Sequence, residues 1–395
     1  MSLIHGANGN GKSNLLEALY LLAVAKSPRA VAERELVGFG PAYEASSASA
    51  KPGTGLAGEQ VHTVISATVD RSGEPVRVQV DLLGPPIEPA GPAGSVAESP
   101  TTGNIGGGWE GTSFQKFIRV NGAPRRAADL VGELNAVLFS AADLELVYGP
   151  PSGRRRYLDV LISQHDRAYL RALQHYGRAT TQRNHLLRSI REGRSNPDEL
   201  GPWNERVAQE GGYIIAARLR AMEELRVHAA AVYADLSQAA QALKISYQSS
   251  FAMSPTSEDG AALSEAALTG ALTENERRDV AQGHTSVGPH RDDLCILIDG
   301  SDADRYASRG QARSAVLALK LAEAEFLSQR RGETPVILLD DVLSELDPVR
   351  RELVLDRVAG YDQCLITTAE LDAITPVRRA EMRLYEVREG TVTLA

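Results

Sequence analysis

The residues best able to do chemistry stand near the start of the chain, in the run Gly6-Ala7-Asn8-Gly9-Asn10-Gly11-Lys12-Ser13. This GxxxxGKS loop leads into a helix predicted over 15–25. Glycines at this spacing let successive backbone N–H groups turn inward around the β- and γ-phosphates of a nucleotide. Lys12 adds a point charge, and the Ser13 hydroxyl is expected to ligate Mg²⁺. The whole run is therefore predicted to bind a nucleoside triphosphate.

A second candidate half-site follows more than three hundred residues later, in the apolar run Val336-Ile337-Leu338-Leu339-Asp340-Asp341. The run is typical of a buried strand that ends in two carboxylates. We expect Asp340 to hold Mg²⁺ and Asp341 to orient and activate the attacking water. The next predicted strand, 363–368, ends in two hydroxyls, and we expect Thr368 or its neighbour Thr367 to approach the γ-phosphate.

A third element, Ser308-Arg309-Gly310-Gln311, precedes a long helix with an apolar periodicity. A serine and a glycine at a helix N-terminus form an anion site from free N–H groups and the positive end of the helix dipole. Loop, signature and acidic strand in this order resemble an ATPase of the ATP-binding-cassette (ABC) type. In that class the signature closes over ATP held by a second subunit. The resemblance implies that Ser308, Gly310 and Gln311 complete the site of a partner copy in a two-fold dimer.

Five further segments distinguish one family among the ATPases of this type. Together with the three motifs above, these segments resemble the RecF family of DNA replication and repair proteins over nearly the whole chain. They are Gly288-Pro289-His290-Arg291-Asp292-Asp293, Ser344-Glu345-Leu346-Asp347, Phe139-Ser140 near Asp143, Arg154-Arg155-Arg156-Tyr157-Leu158-Asp159 and Gln182-Arg183-Asn184. SMC proteins would share only the nucleotide motifs.

The resemblance implies a cytoplasmic, ATP-dependent DNA-binding protein of recombinational repair and the SOS response. Such a protein would recognise gapped DNA at single-strand/double-strand junctions and, with RecR and RecO, help load RecA onto single-stranded DNA. Many cassette enzymes carry Glu where this chain has Asp341. The shorter side chain reaches less far, so we expect slow, DNA-stimulated ATP hydrolysis that acts as a timer.

The predicted fold class is α/β: an ABC-type P-loop ATPase lobe with a mixed sheet and an antiparallel meander, and an inserted, mainly helical lobe. We expect the first half of the ATPase lobe over 1–150, with a flexible loop over 84–112. The helical lobe is expected over 151–283 and the second half of the ATPase lobe over 284–395. The meander strands are predicted over 61–69, 76–82 and 114–120. A long helix is predicted over 205–243, with the pair Gly211-Gly212 as a weak point.

Length and composition limit the class of protein to which the chain can belong. With 395 residues, 43% hydrophobic and 24% charged, the chain has the composition of an ordinary soluble protein of two or three lobes. No run approaches the ~18 apolar residues that span a bilayer. The only cysteines, Cys295 and Cys364, cannot build a disulfide framework or a zinc site.

The net charge is −9, yet the segment 151–195 holds ten arginines and three acidic residues, a local charge of +7. A basic stripe in an acidic chain indicates a nucleic-acid contact. Ser152 is a plausible N-cap, which would put Arg154, Arg155 and Arg156 in a first helical turn, where the helix dipole disfavours positive charge. We assign these three and Arg183 to DNA binding. Internal ion pairs or a solvated face remain alternatives for the triplet.

Other assignments also stay open. A DNA-organising ATPase of the SMC type is disfavoured because no heptad run is long enough for a coiled-coil arm. The ATP-binding cassette of a membrane transporter would need a membrane partner. His290, Asp292 and Asp293 could suggest a metal, but successive strand residues point to opposite faces, which favours a structural or lobe-coupling role.

One departure from the family concerns the N-terminus. RecF proteins usually carry some two dozen strand-forming residues before the phosphate loop, whereas only Met1 to His5 precede it here. A truncated chain or a misassigned start codon would explain the difference. The residues that contact adenine are therefore not predicted.

Overall fold

A computed structural model describes residues 1–30, 33–36, 60–71, 73–86, 114–238, 240–253 and 260–395. The chain divides into two compact units. The larger unit joins Met1–Leu16 to Leu134–Ala395, and the smaller unit is Glu17–Glu133. The loop predicted over 84–112 lies almost wholly outside the described residues. Its first residues, 84–86, belong to a strand.

The elements of the described residues are numbered in chain order. The strands are β1 (Ser2–His5), β2 (Gln60–Arg71), β3 (Glu74–Pro86), β4 (Gln115–Val120), β5 (Ala123–Arg125), β6 (Ala136–Phe139), β7 (Leu243–Gln248), β8 (Asp293–Ile298), β9 (Ser301–Asp302), β10 (Val336–Asp340), β11 (Cys364–Thr368), β12 (Arg383–Arg388) and β13 (Thr391–Leu394). The α-helices are α1 (Lys12–Val24), α2 (Ala127–Leu130), α3 (Glu145–Tyr148), α4 (Pro151–Ser163), α5 (Arg167–Arg191), α6 (Gly201–Leu236), α7 (Gly260–Glu274), α8 (Glu276–Gln282), α9 (Ala303–Tyr306), α10 (Arg309–Arg331), α11 (Pro348–Val358) and α12 (Pro376–Ala380). Short 3₁₀ helices cover Glu33–Leu36, Ala141–Leu144, Pro197–Leu200, Leu343–Glu345 and Leu371–Ala373.

The central sheet of the larger unit has the order β13-β12-β1-β11-β10-β6. All neighbours are parallel except β12 and β13, which form an antiparallel hairpin. The inner strands are short apolar runs because both faces of a parallel sheet are covered. Parallel strands end at one edge, so the carboxyl ends of β1, β6, β10 and β11 meet there. The phosphate loop and the two aspartates therefore start from the same edge.

The smaller unit contains the predicted meander. Its strands pair antiparallel in the order β2-β3-β4-β5, which confirms the three predicted strands and adds the short β5. The central strand β3 is the most buried, with Val78, Val80 and Leu82 fully covered. Burial of one face and exposure of the other accounts for the alternation of apolar and polar residues along these strands.

Helices α4 to α8 occupy the chain between the two halves of the central sheet. Helix α6 runs unbroken through Gly211 and Gly212, so the predicted weak point is wrong. A Cβ on Gly212 would lie 2.6 Å from the Cα of Glu265 in α7. The glycines are therefore there for close helix packing, whose burial outweighs their low helix propensity. Helix α4 begins at Pro151 with Pro150 as its N-cap residue, so the predicted cap at Ser152 is also wrong.

These elements give the α/β fold class that the sequence predicted, with a mixed sheet, a meander and an intervening helical segment. Within the described part of the chain, no helix combines the length and apolar character needed to cross a bilayer.

Candidate nucleotide site

The phosphate loop joins the end of β1 to the start of α1. Gly9 and Gly11 adopt φ angles of 85° and 96°, a backbone region that residues with a Cβ rarely enter. The loop is braced from the far end of the chain: the Asn10 amide donates to the Val387 carbonyl (3.1 Å), and the Gly390 N–H donates to the Asn10 carbonyl (3.1 Å). The β12–β13 hairpin thus fixes the loop's shape, a role that no local pattern predicted.

Lys12 lies over the loop that precedes it. Its ammonium donates to the carbonyls of Gly6 (2.7 Å) and Ala7 (3.1 Å), and the residue is only 7% exposed. A nearly buried cation inside a ring of backbone groups is well placed to bind an anionic group.

Ser13 and Asp340, the two predicted Mg²⁺ ligands, lie side by side. The Ser13 hydroxyl donates to Asp340 Oδ1 over 2.7 Å, although the residues are 327 positions apart. Neighbouring ligands of one octahedral Mg²⁺ lie about 2.9 Å apart at the usual ligand distance of ~2.0–2.1 Å, so this pair of oxygens fits the ion. Both are hard oxygen donors, as Mg²⁺ prefers.

Asp341 follows at the open end of β10. Its φ is 55°, in the left-handed region, and its side chain is exposed. Its N–H donates to the carbonyl (3.3 Å) and the hydroxyl (3.1 Å) of Thr367, and its carbonyl accepts the Ser344 hydroxyl (2.7 Å). The backbone is therefore held while the carboxylate stays available to a water.

The two threonines of β11 differ in their partners. The Thr367 hydroxyl donates to Asp340 Oδ1 (2.9 Å), whereas the Thr368 hydroxyl donates to the Glu370 carbonyl (3.0 Å) and accepts the Glu370 N–H. Both are at most 1% exposed. Thr367 is thus the hydroxyl that joins the acidic strand, and Thr368 closes a turn.

A cavity of about 90 Å³ lies beside the aspartates, lined by Ser140, Asp143, Asp340, Asp341 and Glu345 among others. Ser140 and Asp143 form a capping box at the start of a short helical turn, in which the Ser140 N–H donates to the Asp143 carboxylate over 2.6 Å. Burial raises the pKa of Asp143, and the charge of Lys320 opposes that shift. The carboxyl end of β6 therefore adds polar groups next to the acidic strand.

The signature begins α10 as predicted. Ser308 is its N-cap: its hydroxyl accepts the Gln311 N–H (3.3 Å), and the Gln311 side chain accepts the Ser308 N–H (2.7 Å). Among the described residues, no hydrogen bond or ion pair joins this turn to the phosphate loop. One turn further, Arg313 forms an ion pair with Glu345 (2.8 Å), which ties α10 to the segment after the acidic strand.

The segment Gly288 to Asp293 is held by a polar network, as the structural interpretation predicted. The Tyr247 hydroxyl donates to Asp292 (2.5 Å), and Arg218 donates to the Pro289 carbonyl (2.7 Å). His290 contacts the Tyr176 hydroxyl (2.6 Å) and the Thr285 carbonyl (3.1 Å). His290, Asp292 and Asp293 each contact a protein partner. Within the described residues, no group of three or more His, Cys, Asp or Glu side chains could hold a metal ion.

The four arginines assigned to DNA lie in unlike environments. Arg154 is 8% exposed and pairs with Asp293 (2.8 Å), and the Arg155 guanidinium donates to the Asp292 carbonyl (2.9 Å). Arg183 is fully buried against Asp279 (2.8 Å) and Thr285. Arg156 is exposed. Internal ion pairing, the alternative left open above, describes Arg154 and extends to Arg183, so neither is placed to meet DNA.

A glycine-rich loop, an acidic strand and a signature helix around the edge of a parallel sheet define a P-loop ATPase fold of the ABC type.

None of the family models compared with the chain matches it. The curated proteins and solved structures do give matches. The DNA replication and repair protein RecF of Chloroflexus aurantiacus is 39% identical over 402 residues, covering 99% of this chain and 93% of the relative. That of Roseiflexus castenholzii is 39% identical over 389 residues, covering 96% and 91%.

A solved structure described as the recombination mediator protein RecF with ATP in the RecFOR pathway aligns with a TM-score of 0.78 at 31% identity. The alignment covers 100% of this chain and 91% of the other. The chain belongs to the RecF family of DNA replication and repair proteins.

Proposed function

We propose that this chain is an ATP-driven dimeric DNA-repair ATPase. ATP binds to Gly6 to Ser13 of one copy, and Ser308, Gly310 and Gln311 of a second copy close over it. The observation that carries the proposal is the Ser13–Asp340 bond, which brings two distant motifs together at a sheet edge that also bears a buried lysine. The related RecF structure described with ATP supports the same ligand.

The geometry supports the following roles. Lys12 and the loop N–H groups bind the phosphates, and Ser13 and Asp340 would hold Mg²⁺, which neutralises phosphate charge when bound. Asp341 orients the attacking water from an exposed position on a fixed backbone. We keep Thr368 as a proposed contact of the γ-phosphate. The Thr367 hydroxyl holds the two aspartates in position by its hydrogen bonds.

Hydrolysis then removes the γ-phosphate that both copies contact, and the dimer parts. ATP therefore acts as a clamp that holds the two copies together until it is hydrolysed. We propose that hydrolysis is slow and stimulated by DNA, because the short carboxylate of Asp341 needs close placement of its water. The lobe boundaries near residues 150 and 283 remain part of this proposal.

The proposed ligand of the clamp is DNA, at gaps and single-strand/double-strand junctions. The RecFOR pathway named for the structural relative supports RecR and RecO as partners and loading of RecA as the outcome, in the cytoplasm. The local charge of +7 in the segment 151–195 supports a phosphate contact.

The test is the mass of an Asp341→Asn protein with and without Mg-ATP. The amide keeps the size of the carboxylate but cannot accept the proton of the water, so ATP should stay bound and the dimer should accumulate. Light scattering should report twice the monomer mass of 42.4 kDa with ATP and the monomer mass with ADP. A Lys12→Ala/Asp341→Asn protein, unable to hold the phosphates, should stay monomeric. A monomer in every state would refute the clamp.

A further inference from the structure

Helix α5 has a strongly basic outer face. Its 25 residues include six arginines and no aspartate or glutamate. Arg167, Arg171, Arg178 and Arg188 are exposed. At 3.6 residues per turn the four arginines fall within an arc of about 100° around the helix axis. They lie on the side opposite the buried residues Tyr169, Tyr176, Arg183 and Leu187.

Among the described residues, three of these arginines have no acidic side chain as an ion-pair partner. The Nε groups of Arg171, Arg178 and Arg188 donate only to the backbone carbonyl four residues earlier, over 3.3, 3.3 and 3.0 Å. None of the three forms an ion pair within the described part of the chain. We call Arg171, Arg178 and Arg188 the α5 ridge.

Some other exposed arginines of the described residues do have acidic partners. Arg226 pairs with Glu223, Arg330 with Glu224, and Arg357 with Asp235. In a protein with a net charge of −9, acidic partners are plentiful. The ridge arginines are about 10 and 15 Å apart along the helix, so water and salt screen their mutual repulsion. Without acidic partners, their guanidinium groups remain available to an outside anion.

The dimensions of the ridge suit a nucleic-acid backbone. Arg171 and Arg188 are 17 residues apart, about 25 Å at 1.5 Å per residue. That length corresponds to roughly seven base pairs at 3.4 Å each. Guanidinium groups bind phosphate oxygens with two parallel hydrogen bonds, and a solvated arginine remains free to do so.

We propose that the α5 ridge holds the phosphate backbone of duplex DNA without reading its sequence. The inference rests on the proposed function and deepens it, because it moves the contact from Arg154 and Arg183, which are buried in ion pairs, to the outer face of α5. Contacts to phosphate position a protein and carry no base specificity. Affinity therefore depends on salt and not on sequence.

The test compares Arg171→Ala/Arg178→Ala/Arg188→Ala with Arg226→Ala/Arg330→Ala/Arg357→Ala. Both variants remove three positive charges from exposed helix positions, and alanine favours helix in both. The probe is a fluorescent mixed-sequence duplex, titrated over a range of salt concentrations. The ridge variant should bind roughly 10–100-fold more weakly, and its slope of log affinity against log salt should fall by about 3, close to 0.9 for each phosphate that is no longer neutralised. The control should bind within about twofold of the parent, because its arginines meet acids and not phosphate.

Parent-like affinity and slope in the ridge variant would overturn the proposal, as would an equal loss in both variants, which would show an effect of net charge alone. Retained duplex binding together with abolished binding to polyglutamate would assign the ridge to an acidic protein instead. ATP-driven dimerisation of the ridge variant, measured by light scattering, should be unchanged, which shows that it is folded. Failure of the parent to dimerise would count against the proposed function and not against the ridge.

Discussion

Thr367 forms hydrogen bonds with both aspartates at the end of the acidic strand. Its hydroxyl donates to Asp340 and, with its carbonyl, accepts the N–H of Asp341, whose φ of 55° is unusual for a residue with a side chain. Strain of this kind, of order 1–3 kcal/mol, persists only where neighbouring groups hold it. One threonine therefore couples the carboxylate that we propose binds Mg²⁺ to the one that we propose orients water.

We predict that Thr367→Val lowers kcat for ATP hydrolysis about tenfold or more, because loss of a hydrogen bond to a charged group costs about 1.5–3 kcal/mol. Thr367→Ser should restore most of the rate, and KM should change less than kcat. Steady-state kinetics on both variants and on Thr368→Val separate the two threonines. A larger loss in Thr368→Val than in Thr367→Val would return the role to Thr368.

The sequence could place these two threonines at the strand's end but could not choose between them. Successive residues of a strand point to opposite faces, and the face that meets Asp340 depends on the register of β11 against β10. That register aligns Thr367 with Asp340, 27 residues away along the chain. The motif residues themselves were predictable because each motif is contiguous.

At the scale of elements, His290 links α5 to the segment before β8. Its Nε2 faces the Thr285 carbonyl, which can only accept, so Nε2 carries the proton and Nδ1 accepts the Tyr176 hydroxyl. Burial lowers the pKa of His290 to about 4. The imidazole is therefore neutral at pH 7, and its protonation would break the bond to Tyr176.

This pKa predicts a pH-dependent stability. The unfolded chain takes up a proton near pH 6.5, but the folded chain does so only near pH 4, so stability contributed by His290 is lost as pH falls between these values. Between pH 7 and 5 the parent should lose about 2 kcal/mol more unfolding free energy than His290→Gln. Urea unfolding of both proteins at the two pH values measures the difference. Asp292, whose pKa burial raises, is present in both and cancels. Equal losses would contradict the assignment.

Burial of polar residues was the hardest feature to foresee. Arg183 belongs to a basic stripe in the sequence, yet Asp279 lies 96 residues later and encloses it with Thr285. The prediction of a weak point at Gly211 and Gly212 was wrong because the sequence does not show which element packs against them. In the structure, α7 approaches both glycines closely. Local patterns give helix and strand periods, whereas such partners are set by packing between elements distant in sequence.

At the scale of the whole molecule, the proposed reaction divides one site between two copies. The phosphate loop, Asp340 and Asp341 lie together at the sheet edge, while Ser308 and Gln311 bond to each other at the start of α10. A dimer of this kind contains two equivalent sites, each built from the loop of one copy and the signature of the other. A substitution in the phosphate loop and a substitution in the signature should therefore damage different halves of a site. An intact site can then form when two such proteins are mixed.

The most direct measurement mixes two inactive proteins, Lys12→Ala and Ser308→Arg, in equal amounts and follows ATP hydrolysis. Each homodimer has two damaged sites, but a mixed dimer has one site whose loop and signature are both intact. Hydrolysis should reappear on mixing, at no more than about half of the parent rate, since a mixed dimer has one working site of two. If the mixture stays inactive although light scattering shows that mixed dimers form, or if Ser308→Arg alone hydrolyses ATP at the parent rate, the site is not shared between copies.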